Sequence, residues 1–208
     1  MNEQCEPLRI GIDFDGVLFD TDWLKMSMAC VFFPSKYRDR LALDQHSDLL
    51  QLTPEEDEYI ETILYSNENS NDGWIQGWAA HWQELVIIPG VRTYVPLLSA
   101  ERNLLYVVTK RGRMGVQAAR ILIQQWEIGG LEGVVGVGPD KSKNFAAAIL
   151  GLDVMIDDSP AVLEEMDGIV PHRLLLDQPY NHGTVLSEGI TRLPDWSAIY
   201  RYVGSIAA

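Results

Sequence analysis

Ile10-Gly11-Ile12-Asp13-Phe14-Asp15-Gly16-Val17-Leu18 is the stretch whose reading decides the fold. A short apolar run ends on two aspartates with one residue between them, and a glycine follows. Consecutive apolar residues suit a strand covered on both faces. Carboxylates are costly inside such a strand, so they mark its end. Gly16 permits the tight turn that takes the backbone away. In open α/β sheets, ligands bind beyond the carboxyl ends of the strands. The spacing therefore predicts two acidic side chains at an edge where a ligand binds. A polar strand end before an ordinary turn is the plainer alternative.

Working outward, four more apolar runs resemble the first strand, Leu8–Phe14. They are Leu104–Thr109, Val134–Val137, Val154–Asp157 and Arg173–Leu176. Helical patterns lie between them: Val91–Ala100, Val116–Trp126, Asn144–Leu150 and Pro160–Met166. In the second of these, Val116, Ala119, Ile123 and Trp126 recur at helical spacing. Asp195 or Pro194 opens a closing helix through Trp196 and Ile199. Strand alternating with helix predicts right-handed crossovers and a doubly wound, parallel α/β sheet.

Residues 19–89 break that rhythm, with helical signals and no convincing strand. Thr53-Pro54-Glu55-Glu56 combines a capping threonine, a first-turn proline and an early glutamate. Asn71-Asp72-Gly73 punctuates, and Pro89-Gly90 marks a return to the sheet. The expectation is a helical insert of about 70 residues over the strand ends.

The chain has 208 residues, enough for one α/β domain and a smaller insert. With 16 basic and 30 acidic residues its net charge is −14, which argues against nucleic acid or an anionic membrane as partner. No apolar run is long enough to span a bilayer, and no signal peptide is evident at the N-terminus. Cys5 and Cys30 have no metal spacing. A reduced, cytoplasmic protein, monomer or homodimer, is expected. No Lys or Arg occurs between Arg40 and Arg92, whereas Lys110, Arg111, Arg113, Lys141 and Lys143 crowd two short loops. Such placement suits a small anion, although loops are commonly charged.

A second acidic pair, Asp157-Asp158, ends the run Val154-Met155-Ile156. Adjacent aspartates repel unless a cation or donor lies between them. Together the strand ends imply phosphoryl transfer. Asp13 is the candidate nucleophile, attacking phosphorus to form an acyl-phosphate. Asp15 is the candidate acid for the leaving oxygen and then the base for water. Magnesium suits the hard oxygen donors: the Asp13 and Asp157 carboxylates, the Asp15 carbonyl and Asp158. Thr109, with Lys110 or Arg111 beside it, is a candidate for the phosphate oxygens. A turn cap would account for Thr109 equally simply. Either Lys141 or Lys143 could neutralise Asp13, and Lys143 abuts a predicted helix. Asp158 or Ser159 could also cap the helix at Pro160. The scheme needs Asp13 and Asp157 within about a nanometre, close enough to share one six-coordinate ion.

Asp13-x-Asp15-Gly-Val, Thr109, Lys143 and Asp157-Asp158, in this order over about 150 residues, resemble the haloacid dehalogenase-like (HAD) superfamily of phosphohydrolases. The resemblance implies a Rossmann-like core, 1–18 and 90–208, with strand order 5-4-1-2-3. It implies a helical cap, 19–89, inserted after the first strand. The second aspartate, Asp15, points to phosphate esters rather than to dehalogenation. Ile156-Asp157-Asp158-Ser159-Pro160, Asp177-Gln178-Pro179-Tyr180-Asn181 and Asp195-Trp196 are similar to segments of the 5′(3′)-deoxyribonucleotidase-like family. Thr109-Lys110-Arg111 departs from the Thr-Ser-Pro of animal members. The implied function is magnesium-dependent hydrolysis of a small phosphomonoester such as a (deoxy)nucleoside monophosphate. A phosphomutase or phosphotransferase, or a non-catalytic binding module, are the alternatives.

Trp74, Trp78 and Trp82 form a stripe at helical spacing. They suit the core of the insert, or one of them could stack on a base. His81 lies off that stripe. His182, after Tyr180-Asn181, suits a local turn better than a ligand.

Overall fold

The computed structural model describes residues 6–21, 25, 33, 53, 55, 85–138 and 140–207. Six strands form one sheet: β1 (Arg9–Ile12), β4 (Leu104–Thr109), β5 (Leu131–Gly136), β6 (Val154–Asp157), β7 (His172–Leu176) and β8 (Ile190–Leu193). Their order is β5-β4-β1-β6-β7-β8, and every pairing is parallel. Read from its other edge, 5-4-1-2-3 is the order of the first five of these.

The helices that cover this sheet are α1 (Val91–Ala100), α2 (Arg113–Gln125), α3 (Asn144–Leu150), α4 (Pro160–Glu165) and α5 (Trp196–Ile206). Alternate strand residues serve opposite faces, as the pleat requires. Ile10, Ile12, Val154, Ile156, Leu174 and Leu176 join a core with Val95 of α1, Leu122 of α2 and Ile199 of α5. Val108, Met155 and Leu175 face the other way, toward Ala147 of α3 and Leu163 of α4. Both faces of the sheet are therefore covered by helices, the arrangement expected of consecutive apolar strands.

Three expectations are corrected. β1 ends at Ile12, so Asp13 is the first residue beyond it. β8 was not anticipated: Ile190-Thr191-Arg192-Leu193 alternates weakly, and all four residues are half-buried, as an edge strand allows. The stretch 19–89 does contain strand. β2 (Phe19–Asp20) and β3 (Val86–Ile87) pair antiparallel, Phe19 opposite Ile87. Two residues are too few to carry a periodic signal. Among the described residues of that stretch, Glu55 is helical, as the start signal at Thr53 expects. Trp74, Trp78, Trp82 and His81 lie outside the described residues.

The helix starts follow their caps. Ser159 caps α4, its Oγ accepting from the Val162 N–H, with Pro160 in the first turn. Asp195 caps α5 through a 2.8 Å bond from the Ala198 N–H. Trp196 is fully buried, and its indole N–H donates to the Val17 carbonyl at 3.1 Å. The last helix is thereby fastened to the turn after β1.

The chain runs outward from β1 to β4 and β5, then returns to β6 on the other side of β1. The strand order reverses at β1, so a crevice opens beyond its carboxyl end. Asp13 and Asp15 follow β1 there, Thr109 ends β4, and Asp157 ends β6.

Candidate active site

Asp13 is fixed from its backbone outward. Its N–H donates to the Ile156 carbonyl at 2.9 Å, which extends the β1–β6 pairing by one residue. Its Oδ1 accepts from the Phe14 N–H at 2.7 Å. The turn then closes through Gly16, whose N–H donates to the Phe19 carbonyl at 2.8 Å and whose φ is +69°. A side chain at that position would also collide with the Asp158 carboxylate and the Tyr180 hydroxyl. Glycine is required here both by its left-handed backbone and by lack of room.

Lys143 lies between two of the strand-end carboxylates. Its Nζ is 2.8 Å from Asp13 Oδ1 and 2.8 Å from Asp157 Oδ2. The ammonium is 1% exposed, and Asp157 is fully buried. Burial alone would lower Lys143, but the charges of Asp13 and Asp157 outweigh it and hold the amine above the ordinary lysine range. The other oxygen of Asp157, Oδ1, accepts from the Ser159 N–H at 2.9 Å. Lys141 is exposed.

One ammonium does not balance the cluster. Asp13, Asp157 and Asp158 each offer a carboxylate oxygen, all within 4.8 Å of one another. Burial drives Asp13 up to about 7; Lys143 opposes this, and the charges of Asp157 and Asp15 add to it. Burial and then the charges of Asp157 and Asp13 push Asp158 well above the usual carboxylate range. Three crowded carboxylates are a hard-oxygen donor set that a divalent cation would relieve. The donor set thus fits magnesium, and the separation meets the nanometre requirement placed on Asp13 and Asp157.

Asp15 has a different partner. Arg111 grips it with both arms, Nε to Oδ2 at 2.9 Å and Nη2 to Oδ1 at 2.6 Å. Burial alone would raise Asp15; the guanidinium outweighs that and holds the carboxyl below its ordinary value. The guanidinium carbon also sits 4.6 Å from the centre of the Phe14 ring. The backbone under Arg111 is tightly packed: a Cβ at Gly136 would stand 2.5 Å from its carbonyl oxygen. Thr109 is buried, and its Oγ1 accepts from the Arg111 N–H at 3.3 Å. Lys110 is half-buried. Arg111, expected beside a phosphate, has its charge turned to Asp15.

Asp177–Asn181 entered as a sequence likeness and His182 as a turn residue, yet this segment reaches the site. The Tyr180 hydroxyl donates to Asp158 Oδ2. Gln178 Nε2 donates to the Gly16 carbonyl at 2.8 Å. Asn181 Nδ2 donates to the Asp158 carbonyl at 2.8 Å and to the Leu176 carbonyl at 3.0 Å. Arg192 of β8 donates to Asp177 and Asn181. His182 is largely exposed and bonds Asp177 at 2.8 Å, a local turn contact. The signal available in the sequence was the density of polar residues just after a buried strand.

No protein-family model matches the sequence, and no curated protein matches it. Solved structures do match over nearly the full chain. A haloacid dehalogenase-like family hydrolase from Xanthomonas campestris is 15% identical with a TM-score of 0.61, covering 97% of this chain and 96% of its own. A HAD phosphatase from Thermococcus onnurineus is 14% identical with a TM-score of 0.59, covering 95% and 98%. A candidate β-phosphoglucomutase from Thermotoga maritima is 15% identical with a TM-score of 0.60, covering 96% and 99%. At these identities the likeness defines the fold: the chain has the Rossmann-like α/β fold of HAD-superfamily hydrolases. On that fold it carries a cluster of three aspartates at the strand ends. Among the described residues no helix is long and apolar enough to cross a membrane.

Proposed function

We propose that the protein is a magnesium-dependent phosphatase acting on a small phosphomonoester through an aspartyl-phosphate on Asp13. The observation that carries this reading is the buried Asp13–Lys143–Asp157 bridge, with both contacts at 2.8 Å. A fully desolvated lysine between two carboxylates is expensive as a structural device. It is well suited to holding a nucleophilic carboxylate in line while a phosphate dianion arrives.

Asp13, Asp157 and Asp158, with the Asp15 carbonyl, would hold magnesium, which when bound screens the dianion and polarises its oxygens. The chain's own residues do the rest. Asp13 Oδ1 accepts from Lys143 and the Phe14 N–H and would also be the oxygen turned to the cation, so Oδ2 is assigned to the attack. The new Asp13–phosphorus bond forms as the ester oxygen leaves, and Asp15 delivers a proton to that oxygen. Water then cleaves the acyl-phosphate, with Asp15 as base. As held by Arg111, Asp15 is a carboxylate, ready for the second half. For the first half the pair must open and Asp15 must take up a proton from solvent. Thr109 and Lys143 contact the transferring phosphoryl group. Lys110, and Arg111 once released, add positive charge at its edge.

Within this reading a (deoxy)nucleoside monophosphate is the favoured substrate. Its support is the Asp177–Asn181 segment, which lies against the site and resembles the corresponding nucleotidase segment. Residues 19–89 are read as a cap that selects the substrate. The support is the β2–β3 pairing, which brings the two ends of that stretch together. Mutase chemistry is the second reading, favoured by the likeness to the candidate β-phosphoglucomutase.

The test is a panel of mononucleotides, sugar phosphates, phosphoglycolate and an aryl phosphate, assayed with magnesium for released phosphate and for isomerised sugar phosphate. Wild type should release phosphate, lose activity in chelator and regain it with magnesium but little with calcium. Asp13→Asn should lower turnover by about 10⁴-fold or more with its melting temperature preserved. Full activity in chelator, or in Asp13→Asn, would defeat the scheme. Isomerisation without net phosphate release would favour the mutase.

A further inference from the structure

The segment between β7 and β8 does more than connect two strands. Its side chains reach back to both acidic turns of the sheet. Gln178 holds the carbonyl of Gly16, in the turn after β1. Asn181 holds the carbonyl of Asp158, in the turn after β6. Tyr180 holds the Asp158 carboxylate itself. These two turns supply the three clustered aspartates, so the segment spans the donor set from outside.

The segment is braced in turn. Asn181 is buried, and both ends of its amide are used. Its Oδ1 accepts from the Gln178 N–H at 3.1 Å and from Arg192 Nη1 at 2.8 Å, while Nδ2 serves Asp158 and Leu176. Arg192 also donates to the Thr184 carbonyl at 2.9 Å, and its partner Asp177 bonds His182. β8 therefore anchors Arg192, Arg192 anchors Asn181, and Asn181 sets where Tyr180 stands. A connector needing only to close a loop would not bury an asparagine with four bonds. The close approach of Gly16 to Asp158 and to the Tyr180 hydroxyl shows the same convergence from the other side.

We propose that Tyr180 is a positioning residue for the cation site. By donating to one oxygen of Asp158 it fixes that carboxylate's rotation and leaves the other oxygen turned to the metal. Gln178 does the same for the turn that carries Asp13 and Asp15. Hydrogen bonds to ligating carboxylates typically govern metal affinity or activity by about 10–100-fold. The proposal rests on the reading of Asp158 as part of the magnesium site.

The experiment is calorimetric titration of magnesium into the full chain, with thermal melting and steady-state kinetics on an aryl phosphate alongside. Tyr180 is 53% exposed, so Tyr180→Phe removes one hydroxyl from a surface ring. Its magnesium Kd should rise by about 10-fold and kcat should fall at subsaturating metal, with KM for the phosphate ester and melting temperature little changed. Gln178→Leu should move the magnesium Kd in the same direction by a smaller factor. An unchanged magnesium Kd in folded Tyr180→Phe would overturn the proposal while leaving the phosphatase reading intact. A lowered melting temperature in both variants with unchanged Kd would reduce the segment to a structural tie, and also overturn it. Wild type that turns over phosphate esters yet binds no magnesium would defeat both.

Discussion

Two ion networks stand side by side at the carboxyl ends of β1, β4 and β6, and they are built on opposite principles. In the first, one buried ammonium, Lys143, is shared between Asp13 and Asp157, with Asp158 close by. In the second, the Arg111 guanidinium meets Asp15 in a two-armed grip that is part-exposed on the Asp15 side. In the first network burial, and then the neighbouring aspartates, raise the Asp13 and Asp158 carboxyls above their ordinary range, with Lys143 opposing the shift at Asp13. In the second, the Arg111 guanidinium outweighs burial and depresses Asp15. On the proposed function, the difference matches a different ligand to each. Surplus carboxylate calls for a cation. Under the proposed function, an ion pair beside the phosphate position would be opened by an anion that competes for the guanidinium.

Removing the shared cation should break that contrast most severely. Lys143→Met leaves Asp13 and Asp157 buried without a counter-charge, an expected loss of ~3–5 kcal/mol in chelator at pH 8. The loss should shrink at pH 5, where Asp13 can take a proton instead, and also when magnesium is added. Urea unfolding at both pH values, with and without magnesium, measures this. Equal losses under all four conditions would mean that packing, not charge, explains Lys143.

The balanced network is sharpened by Arg111→Lys, which keeps the charge but loses the fork. If the Arg111 fork sets where Asp15 stands when the pair opens for proton donation, kcat on an alkyl phosphate should fall by about 10–100-fold. A p-nitrophenyl ester needs little proton donation to its leaving oxygen and should lose much less. Equal losses on both esters would assign Arg111 to phosphate binding alone.

The smallest effect is a pH dependence of opposite sign in the two networks. Asp13 has a folded value of about 7 against 3.8 unfolded, so between those values the folded state binds more protons. Stability in chelator should therefore fall as pH rises from about 4 to 7, by about 1–2 kcal/mol as neighbouring charges relax, and level off above. Asp15, depressed in the fold, contributes stability that is present above its unfolded value and lost as pH falls below it. Magnesium should flatten the upper slope and leave the lower one. A urea midpoint in chelator that rises between pH 4 and 7 would contradict the assignment.

Much of this was readable along the chain because local chemistry and global fold agree. The apolar runs ending in Asp13, Thr109 and Asp157 named three core strands, and each ends where a polar side chain could not stay buried unpaired. Asp158 or Ser159 before Pro160, and Pro194 or Asp195, marked two helix starts, and the caps that form are Ser159 and Asp195, through hydrogen bonds made within four residues. β8 was missed because an edge strand is half-buried and its alternation is faint. β2 and β3 were missed because a two-residue strand exists only through its partner.

By itself the sequence determined which residue types stand at the ends of which strands, since buried strands and capped helices are written in short-range pattern. Only the tertiary structure decided the partnerships: Lys143 rather than Lys141 between the aspartates, Arg111 on Asp15, Tyr180 on Asp158. Those contacts join residues from 14 to 130 positions apart, and only strand order and crossover handedness bring them together. Charge pairing depends on distances of a few ångströms, which linear spacing does not encode.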